Sequence, residues 1–376
     1  MILHRPFVLP VIALVSLAAC TATPPATATP GAMPPDTPAP SATPEASPTA
    51  TPAPTSTRLP RPTPTATATP EPDYLSAMDG DAEGNLWLGG FGGVLKFDPA
   101  TEAATVYSLD EYSREFQVFS LLVSQEGKVW AAGRKYSQSG AEVWELFRLE
   151  DEIWHKQEDV GGDDNTMRVV AEGEKGDLWV RRYPDPMLHY DGRVWRSEGI
   201  PPLGAFARAS DGTWWGTNTC CEMTSFTQFD GKAWSHYQPE TLFDPFVPQI
   251  ATAPDGSLWF RGCYHLFHYD TDLVWTPYTA TVASDRNSIR TLTVATDGAV
   301  WIGTDEGNVQ RFQNEIWYDV AQYPDRAIMK VESAPDGAVW AATEDDCVLQ
   351  FDQNGATGKS YRVRHLNIFA DPDCLQ

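Results

Sequence analysis

The stretch Asp297-Gly298-Ala299-Val300-Trp301-Ile302-Gly303 decides the fold, because a glycine followed three residues later by a tryptophan occurs seven times in the chain. The seven copies are Gly84–Trp87, Gly127–Trp130, Gly176–Trp179, Gly212–Trp215, Gly256–Trp259, Gly298–Trp301 and Gly337–Trp340. Successive tryptophans are 43, 49, 36, 44, 42 and 39 residues apart. Such a period, with several short strands per repeat, is typical of β-propeller blades. We therefore predict an all-β fold, a seven-bladed β-propeller of four-stranded antiparallel blades over residues 74–364.

Each repeat has the same order of elements. An apolar strand leads to a turn, which is Asp-Gly in four repeats, and a second apolar strand carries the tryptophan. Asp-Gly between apolar runs predicts a tight hairpin, because glycine accepts positive φ. The third strand ends in an aromatic residue, usually followed by Asp, and the fourth carries a second tryptophan in five repeats.

These repeats, with Asp-Gly-x-[Leu/Val/Trp]-Trp and an aromatic-Asp strand end, resemble the two-component-regulator propeller family. The resemblance covers about residues 74–361 and implies an extracytoplasmic, ligand-sensing propeller. The repeats are more distantly similar to the propellers of streptogramin lyases, which implies a histidine and a glutamate acting beside a magnesium ion. No histidine recurs in the loops that would form such a site.

The first nineteen residues read as an export signal, since a short n-region is followed by an apolar run from Pro6 to Leu17. The run ends in Leu17-Ala18-Ala19-Cys20, which resembles the lipobox of bacterial lipoproteins. That resemblance implies cleavage before Cys20, lipidation of Cys20 and anchoring to the cell membrane on its extracytoplasmic side. The alternative is an ordinary secretory signal with an incidental cysteine.

Residues 20–73 are predicted to be a disordered stalk. Residues 21–72 contain 16 prolines, 14 threonines and no aromatic residue, so they cannot bury enough apolar area to fold. Residues 365–376 are expected to form a C-terminal tail. The net charge of −24 repels phosphate backbones, which argues against nucleic acid as a partner. We expect a monomer without a cofactor.

Five cysteines remain after Cys20, and an exported protein permits disulfides. Adjacent repeats place Cys220 or Cys221 beside Cys263, and Cys347 with Cys374 would join the tail to the last blade. Metal binding by Cys220, Cys221, Cys263 and His265 is the less favoured alternative, and no metal site is expected.

Two arginines break the pattern two residues after the repeat tryptophan. This position is Gly89, Ala132, Thr217, Gly303 and Ala342 in five repeats, but Arg181 and Arg261 in the third and fifth. Arg182, Tyr183 and Tyr264 follow them into the same loops. Large cations at a position of small residues predict a binding site for an anion or a sugar at the top opening of the ring. The competing interpretation is that each arginine pairs with a carboxylate between blades.

The sequence therefore predicts a lipid-anchored, non-catalytic module. Its partner would be an extracytoplasmic protein or a small-molecule or saccharide ligand. The alternative is a propeller enzyme, a lyase or hydrolase with its site at the top opening.

Overall fold

The computed structural model describes residues 75–376, except 110–114, 125, 138–139, 159, 161, 164–165, 173–176, 198, 201, 210, 219–225, 231, 238–248, 271–273, 282–286, 365 and 376. These residues belong to one compact unit, Ala68–Gln376. The predicted signal, Cys20 and stalk, like Cys220 and Cys221, lie outside the described residues. Within the described ranges, no helix has the length and apolar character needed to cross a membrane.

Seven antiparallel sheets follow one another along the chain, and each is one blade. Blade 1 contains β1 (Ala77–Gly80), β2 (Leu86–Gly90), β3 (Gly93–Asp98) and β4 (Ala103–Ser108). Blade 2 contains β5 (Gln117–Val123), β6 (Val129–Tyr136), β7 (Glu142–Glu150), β8 (Ile153–Lys156) and β9 (Gly162–Asp163). Blade 3 contains β10 (Thr166–Glu172), β11 (Leu178–Tyr183), β12 (Leu188–Tyr190) and β13 (Trp195–Ser197). Blade 4 contains β14 (Leu203–Arg208), β15 (Trp214–Asn218), β16 (Phe226–Phe229) and β17 (Trp234–Tyr237).

The last three blades continue the series. Blade 5 contains β18 (Gln249–Thr252), β19 (Leu258–Arg261), β20 (His265–Tyr269) and β21 (Trp275–Thr279). Blade 6 contains β22 (Ile289–Val294), β23 (Val300–Thr304), β24 (Asn308–Gln313) and β25 (Ile316–Gln322). Blade 7 contains β26 (Ile328–Ser333), β27 (Val339–Thr343), β28 (Cys347–Phe351), β29 (Thr357–Arg364) and β30 (Asn367–Ala370), followed by a 3-10 helix, Pro372–Leu375.

The predicted seven-bladed propeller of four-stranded blades is confirmed, with one addition in each of two blades. In blade 2 the short strand β9 pairs with β7, and in blade 7 strand β30 pairs with β29. Residues 365–376, which the sequence set apart as a tail, therefore contribute a strand to the last blade.

The turn between the first and second strands explains the repeated Asp-Gly. In blade 6 the Gly298 N–H donates to the Ala295 carbonyl at 2.9 Å, and Gly298 has a φ of 79°. This is a type I turn followed by a residue in the left-handed region, a common three-residue hairpin loop. The Asp297 carboxylate accepts the Ala299 N–H at 3.0 Å, which fixes the exit of the turn. Aspartate and glycine thus have separate roles in the loop.

The repeat tryptophans fill the spaces between blades. Trp301 is fully buried, and every residue of its strand β23 is buried as well. A side chain from the third strand covers the tryptophan ring in several blades. The His189 ring stacks on Trp179 at 4.3 Å, and the Lys96 ammonium lies 5.2 Å from the Trp87 ring centroid. The second strands are therefore buried on both faces, as the sequence predicted.

The ring closes between blade 7 and blade 1 through side chains. The Leu75 N–H donates to Asp346 Oδ1 at 2.6 Å, and the Phe97 and Tyr361 rings pack edge to face with centroids 4.8 Å apart. The Lys359 ammonium lies 2.5 Å from Glu102 Oε1. All strands described in these two sheets are consecutive in the chain, so neither terminus supplies a strand to the other's blade.

Candidate ligand-binding site

The first strand of every blade lies at the centre of the ring. These seven inner strands are β1, β5, β10, β14, β18, β22 and β26, and each contacts the inner strand of the next blade, with β26 contacting β1. They surround the central channel. Because only one edge of each inner strand is paired within its sheet, the other edge presents backbone groups that need partners.

Polar side chains of neighbouring blades supply several of those partners. Asp79 Oδ2 accepts the Val123 N–H at 2.6 Å, which links blades 1 and 2. The Gln249 side chain accepts the Leu292 N–H at 3.0 Å and donates to the Leu292 carbonyl at 2.7 Å, which links blades 5 and 6. Such contacts join the inner strands of adjacent blades, which belong to different sheets.

Close packing between blades explains why the position two residues after the tryptophan is usually occupied by a small residue. A methyl group on Gly89 would lie 2.7 Å from Val118 Cγ1, and one on Gly303 would lie 2.3 Å from Ile328 Cγ2. Both contacts are with the inner strand of the next blade, so side chains are excluded there by close approach. Arginine at this position must extend past that strand.

Arg261 reaches the next blade in this way, and Arg181 lies beside a cation of its own blade. In the register of β10 and β11, Arg181 lies opposite Arg168 of the inner strand. Arg261 Nη1 donates to the Ile289 carbonyl of the next inner strand. Among the described residues, no carboxylate forms an ion pair with Arg181. Within the described ranges, Arg181 therefore lacks the carboxylate cap of the competing interpretation.

Two further cations, not singled out by the sequence, lie with these arginines. We call Arg168, Arg181, Arg261 and Lys330 the cation cluster. Arg168 is close enough to lower the pKa of both Arg181 and Lys330, after burial as the larger cause in each case. Arg261 also lowers the pKa of Lys330. Four like charges thus meet at the channel end where the loops between second and third strands lie.

The signal that could have identified Arg168 and Lys330 is a charge inside an apolar first strand. Arg168 lies between Met167 and Val169, and Lys330 lies between Met329 and Val331. Arg168 is exposed to solvent even though burial lowers its pKa, because water reaches a side chain in the channel while protein surrounds it. Solvent access makes Arg168 available to a ligand, and the other three cations are half-buried.

The other residues predicted for the site lie at its edge. Arg182 points to the opposite face of β11, where its Nε lies 3.3 Å from Asp185 Oδ2. Tyr183 is exposed and near enough to raise the pKa of Arg181. Tyr264 is half-buried in the turn before β20. The structure therefore brings Arg181 and Arg261 into one charged cluster and directs Arg182 to another partner.

Three carboxyl groups lie deeper in the channel, and we call Asp79, Glu172 and Glu332 the channel carboxyls. Asp79 is opposite Trp87 and Glu332 is opposite Trp340 in the strand registers. Lys330 and Arg168 are each paired with a residue two positions further along the second strand, which is about 7 Å at the usual rise of a strand. Lys330 and Arg168 therefore lie one level nearer the loops than Asp79 and Glu332, and Glu172, opposite Leu178, lies one residue beyond the tryptophan level.

The surroundings raise the pKa of two channel carboxyls into the neutral range. Burial, with a smaller contribution from Glu172, raises the pKa of Asp79 to about 7 against the opposing effects of the Val123 and Gly80 N–H groups and Lys330. Burial and the neighbouring Asp79 raise the pKa of Glu332 to about 8. These carboxyls titrate near neutrality chiefly because burial disfavours their charged form, and a neighbouring carboxyl adds to the shift in each case.

In the part of the chain that the structure describes, no three His, Cys, Asp or Glu side chains converge to hold a metal ion.

A disulfide joins Cys347 to Cys374, the pair put forward from the sequence, with Cα atoms 5.6 Å apart. It fixes the 3-10 helix and β30 to blade 7. Cys263 is half-buried, and its carbonyl accepts the Ile289 N–H at 2.7 Å. Its pairing with Cys220 or Cys221 stays a prediction.

No protein-family model matches the chain, and no curated protein matches it. Solved structures share the fold. A streptogramin B lyase structure is 17% identical with a TM-score of 0.59, covering 73% of this chain and 92% of that one. Virginiamycin B lyase from Staphylococcus aureus is 16% identical with a TM-score of 0.57, covering 73% and 94%.

A second kind of neighbour is the extracellular domain of the putative one component system BT4673 from B. thetaiotaomicron. It is 12% identical with a TM-score of 0.56, covering 80% of this chain and 46% of that one, so the chain spans about half its length. At these identities the likeness shows the propeller fold alone. The solved structures that are similar to this chain include both extracellular domains and lyases.

Proposed function

We propose that this protein is a non-catalytic, extracytoplasmic binding module that holds an anionic ligand at the cation-cluster end of its channel. The cation cluster carries the proposal. Like charges repel, so grouping Arg168 with Arg181 and Lys330 costs stability that a bound anion would return. Groups with strongly perturbed pKa values are found more often at functional sites than in structural cores.

Arg181 supports this interpretation most directly. Its Nε is buried without a hydrogen-bond partner among the described residues, and its pKa is lowered by burial and by Arg168, the cation opposite it on the inner strand. A purely structural arginine is expected to have a carboxylate or carbonyl partner. The domain's overall negative charge does not oppose a local anion site, since salt screens distant charges beyond about 8–10 Å.

We propose inorganic sulfate as the probe for this site. At constant ionic strength, the melting temperature of residues 73–376 should rise saturably with sulfate, since a ligand at 100 times its Kd stabilises by about 2.7 kcal/mol. Arg181→Gln should lose most of that rise. Without sulfate, the same variant should be no less stable than the native protein, because it removes repulsion from Arg168.

The matched control is Arg193→Gln, which makes the same charge change on an exposed turn of blade 3. It should keep the native response to sulfate, which separates binding from the general effect of the salt. An Arg181→Gln variant whose sulfate curve superimposes on that of the native protein contradicts the proposed site.

We further propose that Cys20 is lipidated and anchors the protein to the cell membrane, on the resemblance of Leu17-Ala18-Ala19-Cys20 to a lipobox. Since stable anchoring takes two acyl chains or a second signal, loss of the modified residue should release the protein. Cys20→Ser should move it from the membrane pellet to the soluble fraction after cell lysis. A variant that still sediments with membranes would show that another feature is the anchor.

The lyase or hydrolase alternative is motivated by the lyases that share the fold. Turnover of a ligand incubated with the protein distinguishes it from the binding module, which should return that ligand unchanged. An extracytoplasmic protein, or a small-molecule or saccharide ligand, remains the proposed partner, and we do not propose nucleic acid as one.

A further inference from the structure

The channel carboxyls and the cation cluster form one electrostatic unit. Asp79 and Glu332 come from the inner strands of adjacent blades 1 and 7, which contact each other. Asp79 is fixed by the Val123 N–H on Oδ2 and by the Gly80 N–H on Oδ1 at 2.9 Å. Its carboxyl group therefore stays in the channel whether or not it is ionised.

Two charged groups outside the pair act on it directly, Lys330 of β26 and Glu172 of β10. The other three cations reach it through their neighbours, since Arg168 of β10 and Arg261 of β19 act on Lys330, and Arg181 of β11 lies opposite Arg168.

Two nearby arginines of inner strands have other partners. Arg290 of β22 pairs with Asp305 at 2.7 Å. Arg208 of β14 donates from Nε to the Gly212 carbonyl at 3.3 Å and covers Trp214. They are therefore outside the unit formed by the cluster and the channel carboxyls.

Ionisation of the carboxyl pair changes the net charge of the channel. With Asp79 and Glu332 neutral, four cations face one carboxylate, and with both ionised they face three. Burial and the neighbouring carboxyl both raise the pKa of Glu332, so the change falls near neutral pH. An anion at the cation cluster adds negative charge above the pair and must favour its protonated form.

Resting on the proposed anion site, we infer that the channel takes up a proton on Asp79–Glu332 with each anion that it binds. Linkage makes the effect reciprocal, so protonation of the pair strengthens anion binding by the same factor by which the anion favours protonation. The ligand is thereby bound as an anion plus a proton, and its affinity falls as the pH rises through the titration of the pair.

The experiment uses sulfate, which stays a dianion across the range, and residues 73–376 in a weakly buffered solution. A pH-stat should record proton uptake on sulfate addition that is largest between about pH 7 and about pH 8.5 and vanishes below about pH 5. Sulfate affinity from melting-temperature titrations should fall by up to about tenfold per pH unit between about pH 7 and about pH 8.5.

Two variants distinguish titration of Asp79–Glu332 from titration of Lys330. Glu332→Gln should lower the proton uptake and flatten the pH profile of affinity, whereas Glu315→Gln, on an exposed turn of blade 6, should leave both unchanged. Burial and Arg168 lower the pKa of Lys330, so deprotonation of Lys330 could also weaken binding at high pH. In that case the pH profile would persist in Glu332→Gln.

Each outcome decides one of the two proposals. Saturable sulfate binding without proton uptake, or with a pH profile that Glu332→Gln does not change, overturns the coupling and leaves the anion site standing. A native protein with no saturable response at any pH overturns the anion site, and the coupling with it. Proton uptake that Glu332→Gln diminishes supports both.

Discussion

Replacing Trp301 with alanine is expected to lower the free energy of unfolding by about 3–5 kcal/mol. Trp301 is fully buried in a cluster with Val309, Val331, Val339 and other residues of blades 6 and 7. Alanine would leave a large cavity between two blades that the surrounding strands can only partly fill. Urea denaturation of the native protein and the variant measures the difference.

Two controls test whether the interblade cavity is the cause. Trp317 lies on the outer strand of the same blade and is only half-buried, so Trp317→Ala should cost clearly less. Trp301→Phe should also cost less than Trp87→Phe. The Trp301 Nε1–H has no partner among the described residues, whereas the Trp87 Nε1–H donates to Asp81 at 2.9 Å. Equal decreases in the free energy of unfolding for Trp301→Ala and Trp317→Ala would show that the position between blades does not determine the cost.

Removal of the Cys347–Cys374 disulfide is expected to be the second large loss. The cysteines are 27 residues apart in sequence, and closing a loop of that length is worth about 3–4 kcal/mol through the entropy of the unfolded chain. The double variant Cys347→Ala and Cys374→Ala should unfold at lower urea concentration by that amount. Both side chains are fully buried, so a further small loss from packing is included.

Hydrogen exchange on the double variant shows which element depends on the disulfide. Amides of β30 should lose protection first, because β30 is the edge strand and pairs only with β29. Amides of β27, in the middle of the same sheet, serve as the internal reference. If β30 and β27 exchanged at native rates in the double variant, the disulfide would not be what holds the C-terminal residues to the blade.

The fold could be predicted from the sequence because the information is local and repeated. The spacing from Gly298 to Trp301 defines a turn and a buried strand within one repeat, and the other copies give the number of blades. The strands β9 and β30 could not be predicted in this way. Each pairs with a strand edge that exists only after the blade has formed, and β30 has the short, weakly alternating sequence Asn367-Ile368-Phe369-Ala370.

Half of the cation cluster could be predicted, for a similar reason. Arg181 and Arg261 are at a fixed distance after the repeat tryptophan, so their size is visible as a departure from the pattern. Arg168 and Lys330 lie on inner strands whose registers shift at β-bulges, between Val169 and Ala171 and between Ile328 and Lys330. Counting from the tryptophan therefore does not locate them, and only the pairing of strands does.

The closure between blades 7 and 1 has a mechanical consequence. Six of the seven boundaries between blades are crossed by the polypeptide itself, and this boundary is not. Six blade boundaries are therefore covalently connected, and the seventh is held only by noncovalent contacts, among them Leu75 with Asp346 and Glu102 with Lys359. Because Leu75 is part of this noncovalent boundary, a pulling force on the residues ahead of Leu75 would act first on the one boundary that can separate without unfolding a blade.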